Sequence, residues 1–168
     1  MDDRQLKKLV LYYSLEGNTE FIAENIADKI NADILKLKPE KEISTHGFMR
    51  YFWGGKQVVF KEKPKLFPFD KNPDDYDVIF IGTPVWAGTY APAFNTFFDT
   101  IKLKDKYIAL FCCYSGKSSS TFENMRKKLE GNQILGEIGF KDPLKYDKEQ
   151  NANKVRQWAE NIISKIKK

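Results

Sequence analysis

The chain has 168 residues, of which 42% are hydrophobic and 30% are charged. These values predict one globular domain over residues 1–168 and argue against disorder or a second large domain. The formal charge is +5, but the basic residues are spread along the chain, so we interpret them as a solvated surface and expect no nucleic-acid partner.

Membrane insertion, secretion and metal binding are not expected from this sequence. No apolar run approaches the roughly 20 residues that span a bilayer, and the charged start is not followed by a signal-type apolar stretch. We therefore expect a cytoplasmic protein. The only cysteines, Cys112 and Cys113, are adjacent, which excludes a disulfide framework. With His46 as the single histidine they predict no metal site, and we interpret them as small buried residues.

The first predicted elements are a strand, a helix and a second strand. Leu9–Tyr13 is a continuous apolar run, which is typical of a strand covered on both faces of a parallel sheet. Ile22, Ile26 and Ile30 recur at four-residue spacing and predict a helix. Asp33–Leu37 alternates between polar and apolar residues, which predicts a strand nearer the edge of the sheet.

A long aromatic segment follows the second strand. We predict a helix over Phe48–Phe60, because a structureless loop between Leu37 and Val78 would be unusually long. Its aromatic side chains cover the sheet in our preferred interpretation. A lid beside a cofactor and the surface of a homodimer are the alternatives.

The second half continues the alternation of strands and helices. Val78–Ile81 and Tyr107–Cys113 predict two more buried strands, with Gln133–Ile138 as a weaker fifth. Three helices are predicted between and after these strands. Pro92 precedes an apolar pattern at Phe94, Phe97, Phe98 and Ile101, and Ser120 with Glu123 has the spacing of a capping box. An apolar stripe from Val155 through Ile166 predicts the final helix. This order predicts an α/β domain with right-handed crossovers.

Three segments at the predicted carboxyl ends of strands are candidates for ligand binding. Ser14–Thr19 places hydroxyls and Gly17 before a helix N-terminus, which favours an anion, although a plain capped turn is the alternative. In Thr83–Pro92, aromatic side chains can stack on a flat ligand or fill the core. Cys113–Lys117 offers a further aromatic face and a glycine. Walker and G-x-G-x-x-G patterns are absent from the sequence, which argues against an NTPase or a dinucleotide fold.

Together these segments resemble the flavodoxin-like family. Its phosphate loop, Thr/Ser-x-Thr-Gly-x-Thr, reads Ser14-Leu15-Glu16-Gly17-Asn18-Thr19 here, and its two flavin loops correspond to Gly82–Gly88 and Cys112–Gly116. The resemblance extends from Leu9 through the final helix. It implies a three-layer sandwich around a five-stranded parallel sheet in the order 2-1-3-4-5, with FMN bound noncovalently.

The resemblance also implies roles for individual residues. The phosphate would be held by Ser14, Glu16, Gly17, Asn18 and Thr19. The isoalloxazine ring would be lined by Thr83, Pro84, Val85, Trp86, Ala87 and Gly88, with Tyr114, Ser115 and Gly116 at its other edge. Because Glu16 replaces a threonine that is frequent in the family, we expect its backbone N–H, and not its carboxylate, to face the phosphate.

The resemblance implies electron transfer through FMN. We favour a carrier between redox protein partners, because the chain is compact and shows no second nucleotide motif. The alternatives are an FMN-dependent NAD(P)H:quinone-type oxidoreductase acting on a small quinone-type acceptor, and a binding module that has lost FMN. No residue stands out as a catalytic acid or base. The basic charge differs from the acidic charge of electron-carrier flavodoxins and therefore predicts different partners.

Overall fold

A sheet of mostly parallel strands forms the centre of the molecule. The structure is a computed structural model, and it describes residues 5–43, 56 and 61–166. Its strands are β1 (Lys8–Tyr12), β2 (Asp33–Lys36), β3 (Val78–Trp86), β4 (Thr89–Tyr90), β5 (Tyr107–Tyr114) and β6 (Gln133–Lys141). The parallel path runs β2-β1-β3-β5-β6, and the short β4 pairs antiparallel with the end of β3. Counted without β4, this is the predicted order 2-1-3-4-5, which the structure confirms.

Helices cover both faces of the sheet and complete the predicted three layers. Within the described ranges they are α1 (Asn18–Ile30), α2 (Ala93–Thr100), α3 (Thr121–Lys128) and α4 (Lys148–Ile166), with a 3₁₀ turn at Pro73–Asp75. Apolar side chains of α1 and α4 form one core with one face of the sheet, and those of α2 and α3 form a second core with the other face. In this described part, no helix is long and apolar enough to cross a membrane.

Alternate residues of each central strand enter opposite cores, as the continuous apolar runs require. Leu9 and Leu11 of β1 face α2 and α3, whereas Val10 faces α1 and α4. Gly82 of β3 makes room for its neighbour, because a Cβ there would lie only 2.0 Å from the Phe111 ring. This packing fixes the strand ends that form the candidate site.

Two local predictions were wrong. The capping box at Ser120 does not form, because the Ser120 side chain makes no cap hydrogen bond and Glu123 pairs with Lys127 instead. The region from Thr83 to Trp86 is strand and not loop, because β3 keeps pairing with β5 and then with β4.

The long segment between β2 and β3 is only partly described. The helix predicted over Phe48–Phe60, apart from Lys56, lies outside the described residues, as does His46. Where the description resumes, the chain is extended across α2: Leu66 bridges to Pro39, and the Thr96 hydroxyl donates to the Pro64 carbonyl over 2.6 Å. The segment then passes through the 3₁₀ turn and returns to the sheet at the start of β3.

Candidate cofactor site

A cavity of about 260 Å³ opens at the carboxyl ends of β1, β3 and β5. Its lining comes from the loop before α1, the β3–β4 hairpin, the end of β5, and single residues from two other loops. The lining residues are Ser14, Leu15, Glu16, Asn18, Thr19, Ile43, Pro84, Val85, Trp86, Ala87, Cys113, Tyr114, Ser115 and Asp142. Five separate parts of the sequence therefore meet in one cavity.

The loop before α1 is built to present helix N–H groups and hydroxyls to the cavity. Gly17 caps the helix in the left-handed region at φ 95°, a conformation that glycine adopts without strain. Its N–H donates to Ser14 Oγ over 3.1 Å, which leaves the Ser14 hydroxyl proton available as a donor. The first turn of α1 adds the positive end of the helix dipole, so this end of the cavity favours an anion.

Thr19 provides the clearest sign of a missing ligand at this end. Its side chain is 1% exposed and lines the cavity, yet Oγ1 has no hydrogen-bond partner among the described residues. A buried hydroxyl without a partner costs about 1–3 kcal/mol. An acceptor oxygen bound in the cavity would remove this cost, and phosphate oxygens are such acceptors.

Cys113 lies beside Thr19 in the same wall. Burial raises the pKa of the Cys113 thiol strongly, and the neighbouring Thr19 hydroxyl opposes this shift only in part. Burial also raises the pKa of Cys112, to about 12. Both cysteines are free and buried, so the thiols remain protonated and act as small apolar groups, as predicted.

The turn after β6 supports the loop before α1 from outside. Asn18 Oδ1 accepts a hydrogen bond of 3.1 Å from the Leu144 backbone N–H. A Cβ on Gly17 would lie 3.5 Å from Leu144 Cδ1, so the leucine packs directly over the glycine. The anion-binding end of the cavity is thus held by two segments 126 residues apart.

The β3–β4 hairpin shapes the opposite end of the cavity. Ala87 and Gly88 both have positive φ, 46° and 81°, as a two-residue primed turn requires. Thr83 holds the hairpin from inside: its hydroxyl donates to the Pro84 carbonyl over 2.8 Å and accepts from the Ala91 N–H over 3.0 Å. Thr83 therefore supports the cavity wall without lining it.

The two aromatic residues of this hairpin have different places. Trp86 is half-buried, lines the cavity and meets the Tyr13 ring edge-on, with ring centres 5.5 Å apart. Tyr90 is 8% exposed and packs edge-on against Phe94 and Phe98 in the core. Trp86 is thus available to a flat ligand, whereas Tyr90 fills the core, which was the other alternative for the aromatic residues of this segment.

Tyr13 joins three parts of the rim. Its hydroxyl donates to Glu42 Oε1 over 2.7 Å, and the Ile43 N–H donates to the same oxygen over 3.1 Å. Burial, and then the hydrogen bond to Glu42, raise the pKa of the Tyr13 phenol far above its usual range. Tyr13 therefore stays neutral and fixes Ile43 at the rim while it supports Trp86.

The end of β5 supplies the remaining wall. Tyr114 and Ser115 line the cavity, and the Ser115 hydroxyl donates to Asp142 Oδ1 over 2.7 Å. The charged residues among the described lining are Glu16 and Asp142, both acidic. Glu16 is exposed and engaged in a contact of its own. The described lining thus offers an anion N–H groups, hydroxyls and the helix dipole.

The structure brings most of the predicted site residues together in this cavity. The exceptions are Gly17, Thr83, Gly88 and Gly116: the first three shape the backbone around it, and Gly116 faces open space. The lining residues missing from the prediction are Leu15, Ile43, Cys113 and Asp142. Asp142 follows a strand end, which was the available signal, but that strand was predicted to stop at Ile138. In the described ranges, no group of three or more His, Cys, Asp or Glu is placed to hold a metal.

Comparison with known proteins places the chain in a family. The chain is similar to a flavodoxin of Maridesulfovibrio salexigens, with 24% identity over 95% of this chain and 99% of the relative. A flavoprotein of Lactobacillus acidophilus, solved in complex with FMN, superposes with a TM-score of 0.69 at 26% identity, covering 86% of this chain and 98% of that one. A flavoprotein structure from Bacteroides uniformis shares the fold, with a TM-score of 0.77 at 18% identity over 94% of this chain and 99% of that one. The flavodoxin family model matches residues 7–162, and the chain belongs to the flavodoxin family.

Proposed function

We propose that this protein binds FMN in the cavity at the carboxyl edge of the sheet and carries electrons between redox proteins in the cytoplasm. The observation that carries the proposal is the buried Thr19 hydroxyl, which lacks a hydrogen-bond partner among the described residues and belongs to a side chain that lines a cavity at the N-terminus of α1. The FMN complex of the Lactobacillus acidophilus flavoprotein supports the choice of ligand. Two free, buried cysteines suit the reducing cytoplasm.

The phosphate belongs at the α1 end of the cavity. Thr19 and Ser14 have hydroxyls available to donate, and the backbone of the first turn of α1 adds N–H donors. The Glu16 side chain is exposed, so its backbone and not its carboxylate faces the phosphate. Among the described residues, neutral donors bind the phosphate.

The ring belongs between the β3–β4 hairpin and the end of β5. Trp86 and Tyr114 offer aromatic surface there, and Pro84 and Val85 offer apolar surface. When bound, FMN supplies the electron-accepting chemistry, while the protein supplies orientation and electrostatics. The Tyr13–Trp86 contact and the Thr83 hydrogen bonds hold these walls in place before a ligand arrives.

The charges of the cavity favour transfer in single-electron steps. The Asp142 carboxylate lines the cavity, the exposed Glu16 carboxylate lies at its rim, and the described lining has no cation to offset them. These carboxylates oppose negative charge that accumulates in the cavity, so a second electron that leaves net negative charge is harder to add than a first that does not. A protein that separates the two steps in this way suits a carrier.

Anaerobic stepwise reduction of the FMN-loaded protein tests this function. We expect the long-wavelength absorbance of one-electron-reduced flavin during the titration, and negligible oxidation of NAD(P)H by the protein alone. Direct passage to the two-electron-reduced form, with rapid NAD(P)H oxidation when a quinone is added, would replace the carrier by the NAD(P)H:quinone-type oxidoreductase. A protein that stays colourless after FMN addition would reject both.

A further inference from the structure

A second cavity lies on the other side of the β3–β4 hairpin. It has a volume of about 570 Å³ and runs between α2 and α3, with the buried residues Tyr90 and Pro92 at its base. Asn95 and Asp99 of α2 form one wall, and Asn124 of α3 belongs to the other. The extended chain that follows residue 60 closes one side. We name this cavity the lysine groove.

Positive charge dominates the lysine groove. It is lined by Lys61, Lys63, Lys127 and Lys128, while Asp99 is the carboxylate among its described lining residues. Lys63 pairs with Asp99, and Lys127 pairs with Glu123 outside the groove. Within the described ranges, the exposed Lys61 and Lys128 form no ion pair.

The carboxylate does not cancel this positive charge. The hydrogen bond from Lys63 lowers the pKa of the Asp99 carboxyl, and Lys102 and Lys128 lower it further. Three lysines therefore surround one carboxylate, and Lys61 and Lys127 stand beside them. This excess of positive charge contrasts with the cavity that we propose binds FMN, which we call the flavin cavity. The charged residues of its described lining are both acidic.

The β3–β4 hairpin lies between the lysine groove and the flavin cavity. Thr89 lines the groove and is the cross-strand partner of Trp86, which lines the flavin cavity. Asn124 Nδ2 donates to Thr89 Oγ1 over 2.9 Å and so fixes α3 to the hairpin. A partner seated in the groove would be separated from the flavin cavity by a single two-stranded hairpin.

The arrangement of the lysines suits a large acidic surface better than a small phosphate. Lys127 and Lys128 belong to the last turn of α3, where the helix dipole presents its negative end and disfavours a bound anion. The lysine side chains are exposed and lie on flexible stems, so they do not form a fixed cage. Dispersed surface charges of this kind attract and orient an oppositely charged protein.

We propose that the lysine groove is the docking surface for the acidic face of a redox partner protein. The inference rests on the proposed electron-carrier function and assigns it a partner of defined charge. It also assigns a role to four of the chain's lysines, next to the proposed cofactor site. Docking there would bring the partner to the β3–β4 hairpin instead of the acidic rim formed by Glu16 and Asp142.

An acidic ferredoxin and charge-reversal variants test the docking surface. Its association with the FMN-loaded protein would be measured by stopped flow and by isothermal titration calorimetry, at low and high salt. The test variant is Lys61→Glu with Lys128→Glu. The matched control, Lys7→Glu with Lys154→Glu, reverses one exposed lysine before β1 and one on α4, which packs on the opposite face of the sheet from the groove. Flavin absorbance of each variant shows separately whether FMN is bound.

We expect the native protein and the control to bind the ferredoxin with similar, salt-sensitive rates. The Lys61/Lys128 variant should associate about tenfold more slowly at low salt, since charge reversal removes the steering field. Equal effects of both variants would overturn the proposal, because the attraction would then come from net charge alone. Lack of ferredoxin binding would also overturn it, as would a groove that binds only inorganic phosphate. If the native protein shows no flavin absorbance after FMN is added, the proposed function is rejected instead.

Discussion

Replacement of Thr19 by valine separates a ligand-binding hydroxyl from a structural one. Thr19 Oγ1 is buried without a hydrogen-bond partner in the described chain, so its removal relieves a cost of about 1–3 kcal/mol in the free protein. The Cys113 thiol beside it is at most a weak partner. We therefore expect Thr19→Val to raise the free energy of unfolding of the FMN-free protein.

The same substitution should weaken FMN binding. A hydrogen bond to a charged group contributes about 1.5–3 kcal/mol, which corresponds to a dissociation constant roughly 10- to 150-fold higher. Urea unfolding of the FMN-free protein and titration with FMN, followed by flavin fluorescence, give the two quantities. If the substitution raises the free energy of unfolding of the FMN-free protein but lowers its affinity for FMN, the hydrogen-bond partner of the Thr19 hydroxyl is the ligand.

Thr121→Val is the matched control. Thr121 is also fully buried, its hydroxyl has no partner in the part of the chain that the structure describes, and it begins α3 without lining the flavin cavity. It should gain stability in the same way and keep its affinity for FMN. If Thr19→Val instead lowered stability and left FMN binding unchanged, the hydroxyl would be structural and our assignment of the phosphate end would fail.

Three further changes probe the rim, the electrostatics and the thiols. Asp142→Asn removes a carboxylate from the cavity wall and should raise the midpoint potential for the second electron; an unchanged potential in spectroelectrochemistry would remove Asp142 from the electrostatic account. Tyr13→Phe deletes the hydrogen bond to Glu42 and should lower the free energy of unfolding by about 1 kcal/mol in urea; an unchanged value would show that this bond does not stabilise the rim. Because burial raises the pKa of Cys112 and Cys113, iodoacetamide should label neither at pH 8 until the protein unfolds, and mass spectrometry that finds labelled native protein would contradict this.

The central strands were predictable because they are buried on both faces. Val78–Ile81 and Tyr107–Cys113 show this burial directly as continuous apolar runs. Their ends were harder to predict, because strand pairing there depends on distant partners. Pro84 in β3 looks like the start of a turn, yet it aligns with Cys113 of β5 within the sheet.

Helix caps depend on the backbone angles that neighbouring segments impose. Ser120 and Glu123 have the right spacing for a capping box, but Ser120 takes φ −90° and ψ 14° while its N–H donates to the Gly88 carbonyl. An extended cap residue is needed for the side-chain bond. The β3–β4 hairpin, which the sequence analysis did not predict, therefore determines how α3 begins.

The candidate site was predictable where it follows strong strands. Ser14 and Trp86 come after or within runs whose burial the sequence displays, so their position at one edge follows from a parallel sheet. Asp142 was missed because β6 is an edge strand of mostly half-buried residues, and its weak pattern concealed the end of the strand. Ile43 was missed because only its contact through Glu42 and Tyr13 brings it to the rim.

Titration of the FMN-free protein with FMN, followed by flavin fluorescence and visible absorbance, tests the central claim most directly. We predict saturation at one FMN per chain, with fluorescence quenching as the ring enters the cavity beside Trp86 and Tyr114. Trp86→Ala should alter that quenching while binding persists through the phosphate end. Fluorescence that stays at the level of free FMN at every protein concentration would contradict the account.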